Sequence, residues 1–214
     1  MNKKILLVGG GGHCQSVLDS LLELDQFSAI GIIDKKENVG QELLGVPIIG
    51  CDNDLPQLYS AGYNYAFVSI GSIGNSDIRR RLFNKLNKIG FIVPNIIDPS
   101  ATVSRHLKME TGIYVGKKAV INAGSMIHKG AIINTGAIIE HDCNVGEFAH
   151  IAPGSVLSGG VIIGNNTHIG ANCVIKQQLK IGADSIIGMG SVVLQDIEDN
   201  VIAYGNPCKV VRTR

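Results

Sequence analysis

Apolar residues follow two different periods along this chain, and the change falls near residue 95. Before it, short apolar runs alternate with helical spacing. Ile5-Leu6-Leu7-Val8 reads as a buried strand that ends in Gly9-Gly10-Gly11-Gly12. Val17, Leu18, Leu21 and Leu22 then mark one face of a helix, and Ala29 to Ile33 a second strand ended by Asp34. The pattern predicts a short helix over 55–61, a third strand over 65–70, a helix carrying Ile78, Leu82, Leu86 and Ile89, and a fourth strand at Phe91-Ile92-Val93. Strands alternating with helices through short links imply a parallel sheet with crossover helices. Residues 1–96 are expected to form a small Rossmann-like α/β domain.

Past Asp98 the helical period gives way to a period of six. From Val115 every sixth residue is aliphatic: Ile121, Ile127, Ile133, Ile139, Val145 and so on without a break to Val193, with Met109, Val103 and Ile97 in the same phase upstream. Four residues after each aliphatic the side chain is mostly small (Ala119, Ser125, Ala131, Cys143, Ser155), and three after it stand turn formers such as Gly124, Gly154, Asn166 and Asn172. This is the hexapeptide repeat of a parallel β-helix over 97–198, with 199–214 as a C-terminal tail. Each hexad supplies a short strand and a corner that must tolerate positive φ, and three hexads close a triangular coil. Residues 18 apart therefore stack, as His150 does on His168. His141, nine before His150, falls on a different face, so the two meet only between neighbouring subunits. A trimer is the natural closed ring.

Composition narrows the functional classes. Lys and Arg total 19 against 18 Asp and Glu, so no basic field exists to hold nucleic acid. Glycine supplies 27 of 214 residues, well above the usual share of about 7%, in keeping with many tight corners. Five scattered cysteines without a C-x-x-C pair suggest neither a disulfide framework nor zinc, and the thiols point to a reducing cytoplasm. Neither a signal peptide nor a transmembrane run is expected. The glycine run after the first strand suggests a nucleotide site. It fits G-x-G-x-x-G poorly, because Cys14 stands where the last glycine belongs, so NAD is the lesser reading. Arg79-Arg80-Arg81 reads as the solvated side of a helix that buries Ile78 and Leu82, with one Arg free to meet a phosphate. His106 and His128 read as surface, and His168 as a face residue without a special role. Cys143 and Cys173 are expected to be packed, and Cys208 to lie in the C-terminal tail beside Pro207.

Several motifs carry a resemblance over nearly the whole chain. They are Gly10-Gly11-Gly12-His13, Asp34, Ile70-Gly71, Ile139-Glu140-His141-Asp142-Cys143, Gly146-Glu147-Phe148-Ala149-His150 and Gly205-Asn206-Pro207-Cys208-Lys209. With them the chain resembles the bacterial hexapeptide-repeat sugar acetyltransferases that carry an N-terminal nucleotide-binding domain. These include the UDP-4-amino-sugar N-acetyltransferases and the sialic acid O-acetyltransferases. The resemblance implies a left-handed β-helix, a homotrimer, and acetyl-CoA as co-substrate with no tightly bound cofactor and no metal. It implies His141 as general base beside Asp142, and acetyl-CoA contacts at His150, Gly159, Ala171 and Met189, with the C-terminal tail near that site and its Cys208 open to alkylation. It also implies a nucleotide-sugar or sialic acid acceptor held by Gly11, Gly12, His13, Asp34, Lys35 and Gly71. Ser72-Ile73 looks like a two-residue insertion, which leaves Gly71 and Gly74 as alternatives for the loop glycine. Lys35, where some relatives carry an acid, bears on the sugar contacts.

The chemistry asks for the same parts. Acetyl-CoA is already activated, so the enzyme needs a deprotonated acceptor and help for the oxyanion. Histidine is suited to take a proton at neutral pH, and a neighbouring carboxylate makes it a stronger base. No Ser or Cys sits in a nucleophile–base pairing, so direct attack is expected. Zinc-dependent β-helix hydratases are the competing enzyme class, and the closely spaced histidine pair they use on one coil is missing. A non-catalytic nucleotide-sensing scaffold is the other alternative.

Overall fold

The computed structural model describes residues 3–214. The chain divides into two compact units, Met1–Gly71 with Asp77–Ile96, and Ser72–Ser76 with Ile97–Arg214. The five residues Ser72–Ser76 thus belong to the second unit although both their flanks belong to the first.

The first unit runs β1 (Lys4–Val8), α1 (Gly12–Leu24), β2 (Ala29–Ile33), β3 (Glu42–Leu43), β4 (Val46–Gly50), α2 (Leu55–Ser60), β5 (Tyr65–Val68) and α3 (Asp77–Ile89). The sheet order is β3-β4-β2-β1-β5, parallel except for the β3–β4 hairpin. Ile5 to Val8 are buried, as a strand covered on both faces requires. The hairpin is absent from the hydrophobic pattern because its first strand has only two residues and Pro47 interrupts the second. Phe91 to Val93 form no full strand: Ile92 makes a single parallel bridge to Tyr65. In α1, Cys14, Val17, Leu18 and Leu21 are buried, while Leu22 lies at the exposed edge.

Helix α3 departs from expectation. It buries Arg79, Leu82, Phe83 and Leu86 and leaves Ile78 exposed. Leu82 and Leu86 are compatible with an apolar face extended by either residue 78 or residue 79, at i−4 or i−3. The structure takes the arginine, whose long stem packs while Ile78 turns out.

In the second unit, two-residue rungs stack in parallel with partners 18 residues apart. Three faces result: one of six strands from Thr102–Val103 to Val192–Val193, one of five from Lys108–Met109 to Lys180–Ile181, and one of eight beginning at Ile96–Ile97. The hexad aliphatics form one buried core. The small positions do more than save space. Ser125, Ser155 and Thr167 donate from their hydroxyls to the carbonyls of Glu140, Gly170 and Gly182, at 2.6 to 2.9 Å. Buried corner carbonyls are thereby satisfied. Cys143 and Cys173 occupy the same position, buried as expected.

Every sixth residue from Gly112 to Gly190 has positive φ, including Lys118, Asp142, Phe148, Asn166, Asn172, Gln178 and Asp184. Past the last coil, Val201–Gly205 extends the eight-stranded face in parallel, and Cys208–Thr213 returns antiparallel. Cys208 is buried in the core, and burial raises its thiol pKa, so the expected alkylation-sensitive tail cysteine is instead a packed one. No helix among the described residues is long and apolar enough to cross a membrane.

Candidate active site

Two places concentrate the predicted residues, one in each unit. In the first, a cavity of about 450 Å³ lies at the carboxyl ends of β1 and β2 and is lined by Gly9, Asp34, Lys35, Ile70, Ile78 and Arg81 among others. This is where ligands sit in open α/β sheets. The glycine run is shaped by its neighbours. Gly9 has φ +108 with the Ile70 side chain against it, and a Cβ on Gly10 would stand 2.8 Å from Asp34 Oδ2. Gly11 caps α1 and Gly12 begins it, with open space around both. Asp34 also accepts from Asn38 Nδ2 at 2.8 Å.

His13 stands in the first turn of α1, and a Cβ on Gly71 would lie 3.2 Å from its own. Burial, and secondarily the charge of Arg79, lower His13 to about 4, so its ring is neutral at pH 7. Of the arginine run, Arg81 reaches the cavity while Arg79 is buried. The sequence reading assigned neither Arg81 nor Ile78 to the site. The one signal for Arg81 was its place in that run.

The second place is a corner between the six- and five-stranded faces. His141 Nδ1 lies 2.8 Å from Asp142 Oδ2, and both side chains are about two-thirds exposed. The carboxylate can only accept, so Nδ1 carries a hydrogen and Nε2 is the lone-pair nitrogen of the neutral ring. Asp142 holds this geometry from a left-handed backbone, φ 60, imposed by the corner position. Its carboxylate occupies the space where Gly124, one coil earlier, would carry a Cβ. One coil later, a Cβ on Gly159 would lie 2.6 Å from both Nε2 and Cε1 of His141, so this glycine makes room for the ring. A pocket of about 240 Å³ joins His141, Asp142, Gly159 and Gly160 to Gln177 and Gln178. The two glutamines were overlooked, although the 18-residue stacking that carries 141 to 159 leads on to 177.

His150 is on the eight-stranded face, buried, with Nδ1 2.8 Å from the Ser72 carbonyl and Nε2 3.2 Å from Asn134 Nδ2. Its ring meets His168 edge-on, centroids 4.9 Å apart. His168 is buried too, which lowers it to about 4. Ala171 and Met189 stack 18 apart at the corner between the eight- and six-stranded faces, where Met189 is 81% exposed. Within one chain, therefore, Gly159 joins His141 and Asp142, whereas His150, Ala171 and Met189 stand elsewhere on the coil. His128 pairs with Glu110 at 3.3 Å. Among the described residues no three His, Cys, Asp or Glu side chains cluster so as to hold a metal ion.

Comparison with known proteins assigns these features to a class. The PglD N-terminal domain family matches residues 4–86, and the bacterial transferase hexapeptide (six repeats) family matches 142–177 and 160–195. PerB from Caulobacter crescentus, solved in complex with CoA and GDP-perosamine, is 38% identical, with 98% of this chain and 97% of that one covered and a TM-score of 0.91. The acetyltransferase domain of PglB from Neisseria gonorrhoeae, solved in complex with acetyl coenzyme A, is 34% identical over 99% of this chain and 100% of that one, TM-score 0.92. WeeI from Acinetobacter baumannii, 23% identical, covers 98% of this chain and 100% of its own with a TM-score of 0.87, and shares the fold. Fold and comparisons thus define a hexapeptide-repeat acyltransferase with a PglD-type N-terminal domain. The chain belongs to the PglD/NeuD-type sugar acetyltransferases.

Proposed function

We propose that this enzyme transfers the acetyl group of acetyl-CoA to the amine of a nucleotide-linked amino-dideoxy sugar, in the biosynthesis of a bacterial surface or glycoprotein glycan. The observation that carries this reading is the His141–Asp142 pair, with Nδ1 held by the carboxylate and Nε2 beside Gly159 in an open pocket. The acceptor amine attacks the thioester carbonyl while His141 Nε2 takes its proton, with Asp142 holding Nδ1–H and compensating the charge that forms. The tetrahedral intermediate then collapses, the C–S bond breaks, and the CoA thiolate leaves and receives the proton from His141. No acyl-enzyme is needed. Cys143, Cys173 and Cys208 are all buried, and burial raises each thiol pKa, which removes the nucleophilic thiolate.

The acceptor's nucleotide is assigned to the cavity at Asp34, Lys35 and Arg81 with Gly11, Gly12, His13 and Gly71. UDP is the favoured nucleotide by family resemblance. The Caulobacter relative's GDP-perosamine makes GDP the first alternative to measure. His150, Ala171 and Met189 are assigned to acetyl-CoA, which requires that faces of adjacent subunits adjoin. A trimer supplies that arrangement. Its support is the six-stranded face, whose outward residues after Thr102 are Val120, Ile138, Val156, Val174 and Val192, an aliphatic stripe over five of the six strands. The five-stranded face instead presents Lys108, Met126, Asn144, Ile162 and Lys180. A cytoplasmic location fits the cysteine usage and the two substrates.

The test is acetyl-CoA turnover, read as free thiol, with UDP- and GDP-linked 4-amino-4,6-dideoxy sugars, free sialic acid and CMP-sialic acid. Turnover with an amino sugar, lost about 10²–10⁴-fold in His141→Ala with the oligomer intact, is the expected result. Turnover only with a sialic acid would make the enzyme an O-acetyltransferase. Undiminished turnover in His141→Ala would remove the base assignment.

A further inference from the structure

The segment Ser72–Ser76, whose first two residues read in the sequence as an insertion, lies on the eight-stranded face and is fastened at three points. The Ser72 carbonyl faces His150 Nδ1 at 2.8 Å, and Ser76 Oγ bonds Asn166 Oδ1 at 2.7 Å. Between them Gly74, buried with φ +74, rests against Ile186, whose side chain fills the space a Cβ would need. The strap thus crosses the column of outward side chains formed by His150, His168 and Ile186.

The hydrogen bonds around His150 have only one consistent polarity. The Thr135 backbone N–H must donate, and at 2.8 Å its acceptor is Asn134 Oδ1. That fixes the amide orientation of Asn134, so Nδ2 is the group facing His150 Nε2 at 3.2 Å. An N–H donates there, hence Nε2 carries the lone pair and Nδ1 the hydrogen. Nδ1–H then donates to the Ser72 carbonyl, which only accepts. Two backbone groups of fixed polarity, one at each end, thereby select a single neutral tautomer of His150.

We infer that the Ser72–Ser76 strap is a positioning element for the acetyl-CoA side of the site, holding His150 in its neutral Nδ1–H form and through it the amide of Asn134. The inference rests on the assignment of His150 to acetyl-CoA made above. Without the Ser72 carbonyl, Nδ1–H would lose the backbone acceptor that selects this tautomer. The ring would then also lose the restraint that keeps it edge-on to His168.

The experiment uses the full-length protein with ¹⁵N-labelled histidine, comparing wild type, Ser76→Ala, Gly74→Ala and the rescue pair Gly74→Ala with Ile186→Ala. Ring-nitrogen shifts report the tautomer of His150, assigned by comparison with His150→Gln. In wild type Nδ1 is expected to be the protonated nitrogen. Gly74→Ala is expected to average the two nitrogens and raise KM for acetyl-CoA about 5- to 50-fold, with kcat changed less than about threefold. Ile186→Ala then restores both in part, because the clash is removed while the strain at φ +74 stays, and a general loss of folding would show no such recovery. An Nε2–H tautomer in wild type, or a tautomer indifferent to Gly74→Ala, would overturn the inference. A tautomer that shifts while KM for acetyl-CoA holds steady would uphold the strap and sink the assignment of His150 to acetyl-CoA.

Discussion

At the scale of single residues, much of the site is built from glycines whose role is to leave space. Gly159 is the clearest case, because its backbone φ is ordinary and only the His141 ring objects to a Cβ there. Gly159→Ala should therefore displace the imidazole by about 1 Å and lower kcat roughly 10- to 100-fold, while stability changes little because His141 is exposed. Steady-state kinetics with a melting curve checks this. A rise confined to KM for acetyl-CoA would instead mean that the glycine serves the donor. Gly124 has a different reason for being glycine, combining φ +78 with the Asp142 carboxylate in its Cβ space. The sequence showed His141 and Asp142 by motif, but not that the two coils flanking them are cleared for their side chains. That clearance depends on 18-residue stacking between residues that carry no chemistry of their own.

At the scale of elements, the β-helix was legible because its rule is local and repeated: one inward aliphatic, one small residue, one left-handed corner. Even bulky corners obey it, as at Phe148, φ 55. The N-terminal unit was less legible because its pattern is not redundant. Helix α3 admitted two registers, and β3 and β4 are too short and too broken by Pro47 to show an alternating pattern. The eight-stranded face is the least readable element, since the strap that covers it comes from far away in sequence. One consequence can be measured. His168 is buried there with Nδ1 lacking a hydrogen-bond partner, and burial lowers its pKa from 6.5 to about 4. Between those values the unfolded chain binds a proton that the folded chain refuses. Stability is thus complete above about pH 6.5 and falls as pH drops toward 4, by roughly 3 kcal/mol for this site at the low end. His168→Phe should make that limb of a urea-midpoint-versus-pH curve shallower, leaving the share that His13 contributes over the same range, with pH 8 nearly unchanged. An unaltered acid slope would show that His168 is not the group responsible.

At the scale of the whole molecule, the three faces of the coil have unequal destinies: one aliphatic, one polar, one covered by the chain itself. The aliphatic face is the expected subunit contact. Val156→Glu should convert the proposed trimer to monomer in light scattering and abolish turnover with it, whereas wild type running as a monomer would refute the seam site. The covered face has a further implication, since the chain passes from one unit to the other at Gly71–Ser72, returns at Ser76–Asp77, and passes again at Ile96–Ile97. The β-helix is thus not a module that a cut at residue 96 would release intact. A fragment starting at Ile97 would lack its own roof, exposing His150, His168 and Ile186 along one side. For the same reason, grafting a different sugar-binding unit onto this coil calls for the five-residue strap to be carried along as part of the recipient. Recombination between relatives at the apparent boundary would fail on that detail, however well each half folded.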